Sequence, residues 1–244
     1  GPQTVRADTV LLALGGASWP RLGSDGAWTH ILGNAGVAIT PLQASNCGVL
    51  VPWSEHITKH LGAPLKRIVV TCGGLTKRGE AVISKSGLEG GVIYALSHSI
   101  REALNSGPAA TLSIDLRPDL VSDKLAQRLD SSARKDSLSN VLRKAASLSP
   151  AAIAVLRETG PLPRAPAALA HTMKNVRLPI AGLAGLERAI STAGGIRQDA
   201  VDDALMLRAR PGVFVAGEML DFDAPTGGYL LQAAFATGHV AACG

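Results

Sequence analysis

Hydrophobic positions along the chain follow two different rhythms. Residues 5–14 end in the continuous apolar run Val10-Leu11-Leu12-Ala13-Leu14, the pattern of a buried parallel strand. A second short run of this kind, Val213-Phe214-Val215-Ala216, lies near the other end. Each opens into a glycine-rich loop. After the first loop, residues 26–33 predict a short helix, with Asp25 placed to accept its free N–H groups and Gly33 and Gly36 to end it. From 37 to about 115 the pattern shortens into β-prone pieces: Val37–Thr40, Val49–Val51, Ile68–Thr71, Ala81–Ser84 and Ala110–Ile114. Leu88–Leu104 contains a helical segment. Over 118–160, Leu125, Leu129, Leu138, Val141, Leu142, Ile153, Val155 and Leu156 fall at three- and four-residue spacings, which predicts helices, and Pro150 suits the first turn of the last one. The Pro161–Pro166 stretch reads as a linker or corner. From 186 the first rhythm returns, through Gly194-Gly195, and Gly228–Ala242 predicts a helix packed tightly on a sheet.

Composition narrows the field. The 244 residues are 46% hydrophobic but only 3% aromatic, so the core is aliphatic and base stacking on rings is not a plausible main activity. Cys47, Cys72 and Cys243 stand far apart and form no redox pair, which excludes disulfide reductase chemistry and fits a reducing, cytoplasmic setting. There is no run of 18 apolar residues long enough to span a bilayer. Residues 1–177 carry 20 Lys and Arg against 12 Asp and Glu, whereas 178–244 carry 4 against 7. The basic part suits an anionic substrate, phosphate or RNA, or simply a solvated helical surface. His56 and His60 are four apart, but no further ligand completes a metal set, and none is assigned. His171, Lys174 and Arg177 read as an exposed basic connector.

The chemistry lies where the two apolar runs open into glycine. In open α/β sheets, ligands sit at the carboxyl ends of strands. Thr226-Gly227-Gly228-Tyr229 leads into a helix whose start offers free N–H groups and partial positive charge. Glu218 and Asp221 stand between strand and helix, where a carboxylate accepts hydrogen bonds from ribityl or ribose hydroxyls. Such junctions serve many phosphate-bearing ligands, and some are merely tight turns.

Four segments carry a closer resemblance. Ala13–Gly26 resembles the A-x-G-G-x-S-x-P-x-x-G-S-x-G motif of the BaiN/RdsA-like flavoproteins, and AGEMLDFDAPTGGYLLQ at 216–232 resembles their terminal A-G-E-x-L-D-x-x-x-x-T-G-G-Y-N-x-Q motif. GEAVISKSGLEGG at 79–91 resembles the G-x-x-x-F-T-H-x-G-x-S-G-P region, and LERAISTAGG at 186–195 the segment that returns from an inserted domain. The resemblance implies an α/β fold: a partial Rossmann-like FAD-binding domain of the two-dinucleotide-binding type, with a large inserted domain, β-barrel-like plus helical. Residues 1–37 and 186–244 would belong to the FAD-binding domain. Residues 38–185 would form the insertion on the substrate side, β-rich over 38–115 and helical over 118–180.

It also implies FAD as cofactor, NAD(P)H as reductant and a cofactor site built from Gly15, Gly16, Ser18, Gly217, Glu218, Asp221, Thr226, Gly227, Gly228, Tyr229 and Leu230. Glu218 would meet the ribityl chain, and Gly227 to Tyr229 the isoalloxazine edge, so that Gly228 tolerates no side chain. Trp19 would wall the flavin cleft or pack in the core. No catalytic residue is assigned. The expected reaction is hydride transfer from reduced flavin to a substrate at the domain cleft. Reduction of uridine to dihydrouridine in ribosomal RNA, or an electron-carrying or assembly role without a substrate, are the alternatives. The family's Phe-Thr-His is here Ile83-Ser84-Lys85, its Ser-Gly-Pro is Glu89-Gly90-Gly91, and its Asn after Gly-Gly-Tyr is Leu230, departures that suggest a divergent subgroup. The family's opening G-x-G-x-x-G is absent, which implies a preceding segment of roughly 130–170 residues in the intact polypeptide as the chain's first partner.

Overall fold

The computed structural model describes residues 3–107, 110–132 and 137–244. The chain forms two compact units. One is built from both ends, up to Cys47 and from Ala184 onward, and the other is Gly48–Leu183.

In the two-ended unit, Val10–Leu12 and Val213–Val215 pair as parallel strands, with Val10 opposite Val213 and Leu12 opposite Val215. The apolar runs thus become neighbours despite their separation in sequence. The expectation of full burial does not hold for the first run: Val10 is 42% and Leu11 48% exposed. Among the described residues this parallel sheet has only two strands, so one side of the ladder has no cover. A separate antiparallel pair joins Ile39–Ser45 to Ser191–Ile196, with a register shift between Ala193 and Gly195. Trp28, Leu32, Ile196, Leu207, Val215 and Met219 form the core of this unit.

The helix predicted over 26–33 is formed by Trp28–Asn34, with Gly33 inside it; Asp25 does not cap it, because its Oδ1 accepts the Ala27 N–H at 2.9 Å and closes a turn just ahead of the helix. The final helix, Tyr229–Cys243, is also where it was expected, but it is less enclosed than a Gly- and Ala-rich pattern suggests. Only Ala241 is buried, packed with Phe214 and Ala216, while Tyr229, Leu231 and Phe235 are at least 60% exposed. Among the described residues no helix is long and apolar enough to cross a membrane.

The Gly48–Leu183 unit holds a seven-stranded antiparallel sheet. Its strand order is Val176–Ile180, Ala110–Asp115, Pro64–Cys72, Leu75–Ile83, Gly87–Glu89, Val49–Leu50, Gly182–Leu183. The expected β-barrel is not formed, because no ladder joins the two edge strands, Val176–Ile180 and Gly182–Leu183. Ala181 alone separates these edges in sequence. That leaves no room for the two-residue turn an antiparallel pairing between them would need. Among the described residues six α-helices accompany the sheet, and alternate strand residues such as Leu112 and Ile114 are fully buried with them in one aliphatic core. Ser149 caps the Pro150–Arg157 helix by accepting the Ala152 N–H at 3.1 Å, with Pro150 at the first position.

The region after the proline-rich corner is not a connector. Pro166 starts a helix that runs to Lys174, and Arg177 lies in the following strand. Lys174 Nζ donates to Asp115 Oδ2 at 2.7 Å and to the carbonyls of Arg117 and Leu120 at 3.0 and 2.8 Å. All three ammonium protons are therefore spent on holding two elements together, not on a ligand. Truncation of Lys174 to Met should accordingly destabilise this unit by about 1–3 kcal/mol, as Asp115 and two carbonyls lose a charged donor. Urea denaturation monitored by circular dichroism measures this, and an unchanged midpoint would contradict it.

Candidate functional site

The strand Val213–Val215 ends at Ala216 and turns through Gly217–Met219, which aims Glu218 back into the unit. Glu218 Oε1 accepts the Thr192 N–H at 2.8 Å and Oε2 accepts the Gly16 N–H at 3.3 Å. Thr192 in turn uses its Oγ1 to accept the Ala17 N–H at 2.8 Å and shares a 2.9 Å hydrogen bond with Ser18 Oγ. One carboxylate and one hydroxyl thus lock the loop after the first strand to the turn after the last one, through the bulged strand Ser191–Ile196. Space is tight here: a β-carbon on Gly16 would lie 2.5 Å from Thr192 Oγ1 and 3.0 Å from Glu218 Cδ. The loop is pinned further where Ser24 Oγ donates to the Gly16 carbonyl at 2.9 Å and Trp28 Nε1 to the Gly15 carbonyl at 3.0 Å. Trp19 is half-buried with the Arg21 guanidinium 4.8 Å from its ring centroid.

Asp221 lies one turn further along. Its Oδ2 accepts the Thr40 hydroxyl proton at 2.6 Å, and its own N–H donates to the Ile196 carbonyl at 2.9 Å. Gly217 N–H donates to Thr237 Oγ1 at 3.0 Å, which fixes the final helix to the strand end. Gly217, Glu218, Asp221, Leu230, Ala233 and Thr237 all line one cavity of about 460 Å³. Asp202 and Asp203 line it as well, so four carboxylate residues and a helix flank face a space large enough for part of a cofactor.

The turn Thr226 to Tyr229 is exposed. Gly228 sits at φ +94°, and no side chain caps the helix it precedes. The first N–H groups of that helix are thus open to a ligand acceptor. A β-carbon on Gly228 would meet nothing within 4 Å, so the chain itself does not exclude a side chain by contact. The left-handed backbone disfavours one instead.

Of the expected site residues, Gly15, Gly16, Ser18, Gly217 and Glu218 are brought together by the Thr192 network. Asp221 and Leu230 join Gly217 and Glu218 at the cavity, and Thr226 to Tyr229 form its exposed neighbour turn. The residues that sequence reasoning missed are Thr192, Thr40 and Thr237. Only Thr192 had a visible signal, as the one long polar side chain in the small-residue run Ser191–Gly195. No group of three or more His, Cys, Asp or Glu among the described residues is arranged to hold a metal.

A family model described as HI0933-like protein Rossmann domain matches residues 1–244. A 3-dehydro-bile acid delta(4,6)-reductase of Clostridium scindens is 25% identical over 98% of the chain and 62% of the relative. A ribosomal RNA dihydrouridine synthase of Escherichia coli is 25% identical over 96% of the chain and 60% of the relative. The chain therefore spans about three fifths of the length of these curated relatives.

Two substitutions test the network. Thr192→Val keeps the shape but leaves the Ala17 N–H without its acceptor, and should lower stability by about 1–3 kcal/mol. Gly16→Ala should cost a similar amount by overpacking against a fully buried Thr192. Thermal melts read both, and wild-type stability in either variant would show that the junction is looser than its distances indicate.

Proposed function

The chain belongs to the HI0933-like family of Rossmann-domain flavoproteins, and from that premise we propose that it is part of an FAD-dependent reductase. The reading rests on one observation: the Glu218 carboxylate joins the two glycine-rich segments at the carboxyl ends of parallel strands, beside an uncapped helix start. Ligands of open α/β sheets bind at such ends.

In this reading Asp221, with one oxygen free of Thr40, accepts a hydroxyl proton from the ribityl or ribose part of FAD. Glu218 does the same through the lone pairs that Gly16 and Thr192 leave over. The free N–H groups of Tyr229, Leu230 and Leu231 would help to hold the flavin, at a helix start that would favour negative charge. The backbone of Gly15 and Gly16 gives the close approach that a flat ligand needs. Bound FAD supplies hydride chemistry, with NAD(P)H as the source of reducing equivalents and a substrate carbon as acceptor. The two named relatives motivate two substrate classes, a small organic compound or uridine in ribosomal RNA. The excess of 20 Lys and Arg over 12 Asp and Glu in residues 1–177 is compatible with an anionic substrate such as RNA but does not select between the two classes. An electron-carrying role without a substrate is distinguished by NAD(P)H consumption that yields no reduced product.

The test uses the longer polypeptide that contains this chain. Glu218→Gln should weaken FAD retention, because loss of a charged acceptor removes about 1.5–3 kcal/mol, or at least about tenfold in Kd. Asp223→Asn should change it far less, since Asp223 Oδ1 accepts from Ser45 Oγ and does not line the cavity. Urea melts of the apo forms separate cofactor contact from loss of the Gly16 and Thr192 bonds. Equal FAD Kd values for the two variants would remove Glu218 from the cofactor site.

A further inference from the structure

The Gly48–Leu183 unit contains its own cavity of about 430 Å³, which the flavin reading does not use. Its walls are aliphatic, with Leu65, Ile68, Leu116 and Leu148 among them, and no Phe, Tyr or Trp lines it. Its charged lining is lopsided. Lys66, Arg67 and Arg117 stand against a single carboxylate, Asp119, which is already paired with Arg78.

Two features show that this cluster is more than a solvated surface. Lys66 and Arg67 oppose one residue of the neighbouring strand, because the pairing shifts between Leu65 opposite Ala81 and Ile68 opposite Gly79. This bulge puts Arg67 at φ +53°, where glycine would sit without strain. A long charged side chain is kept at a backbone position that disfavours one, and Ser147, lining the same cavity, is also left-handed at φ +51°. Strain of this kind collects where a site imposes it. Independently, Arg117 Nε is buried with no hydrogen-bond partner among the described residues. A guanidinium N–H withdrawn from water without an acceptor is costly; Nε itself is closed off from the cavity, so an anion there would meet only the part of Arg117 that lines it.

We propose that this cavity binds a small organic phosphate, its phosphate held by Lys66, Arg67 and Arg117 and its apolar body resting on Leu65, Leu116 and Leu148. Three cations with one committed carboxylate match a phosphate dianion better than a single carboxylate. The Pro150–Arg157 helix start adds little. Pro150 has no N–H and the Ala152 N–H is taken by Ser149 Oγ, which leaves only Ala151 to donate. His60 is the one ring that lines the cavity, a smaller stacking surface than the successive aromatic platforms that hold single-stranded RNA, so the phosphate of a small compound is the better match.

Isothermal titration calorimetry of the longer polypeptide that contains this chain, at low salt and with phenyl phosphate as the probe, tests the site. One phenyl phosphate per chain should bind with Kd below about 1 mM. Inorganic phosphate should bind about tenfold more weakly and phenol not measurably, because each lacks half of what the cavity recognises. Arg67→Gly should weaken phenyl phosphate about tenfold while its melting temperature holds or rises, since glycine relieves the backbone strain. Arg117→Gln should show the same loss of affinity. The proposal is overturned by no saturation up to about 10 mM, by unchanged affinity in Arg67→Gly, or by inorganic phosphate binding as tightly as phenyl phosphate. A uridine oligonucleotide that binds more tightly than phenyl phosphate and loses affinity in Arg67→Gly would assign the surface to nucleic acid and also overturn it.

Discussion

Glu218 is the pivot of the two-ended unit because its carboxylate sits where two backbone N–H groups from distant parts of the chain converge. The bonds reach 26 residues back to Thr192 and 202 back to Gly16. Glu218 is half-buried at the cavity, and the two N–H groups hold its carboxylate in place while tying three segments to one another. Gly16 makes the approach feasible, and Thr192 completes it by serving the next two residues of the same loop. The parallel strand pair is short, at three residues each, and hydrogen bonds at its carboxyl end compensate for a ladder too brief to fix the register by itself.

The same unit leaves much apolar surface on show. Val10, Leu11 and Leu14 on the first strand and loop, and Tyr229, Leu231 and Phe235 on the last helix, are at least 40% exposed. The Gly48–Leu183 unit has a larger core, with Ile93, Leu96 and Leu125 fully buried, though it too exposes Leu61, Leu75 and Val121.

The elements that the sequence revealed are those governed by local rules. The helix near Trp28, the start at Pro150 and the glycine-flanked strand ends could be read because proline and glycine act through their own backbone angles. The order of the seven strands could not be read, since pairing between Ala110–Asp115 and Val176–Ile180 depends on contacts some 65 residues apart in a chain that offers many equivalent β-prone pieces. The open rim where a barrel was expected follows from a single residue, Ala181, whose consequence appears only once both edges are known. At the candidate site, the glycines and Glu218 stood out by type and place. Thr40 and Thr237 did not, because a threonine in a strand or helix carries no mark of the distant carboxylate or N–H it will meet.

Val49 pairs directly with Leu183, so the first and last strands of the Gly48–Leu183 unit are neighbours in its own sheet. This has a bearing on the order of assembly. In the unfolded chain, Ser45 and Ser191, which face each other across the antiparallel pair of the other unit, are separated by the whole of this intervening sequence. Closing so long a loop in one step carries the full entropic penalty of its length. Once the intervening unit has folded, its entrance and exit lie side by side, and the same encounter becomes the closure of a few residues. The route of least resistance is therefore from the inside out, with the late step being the arrival of Thr192 beneath Glu218.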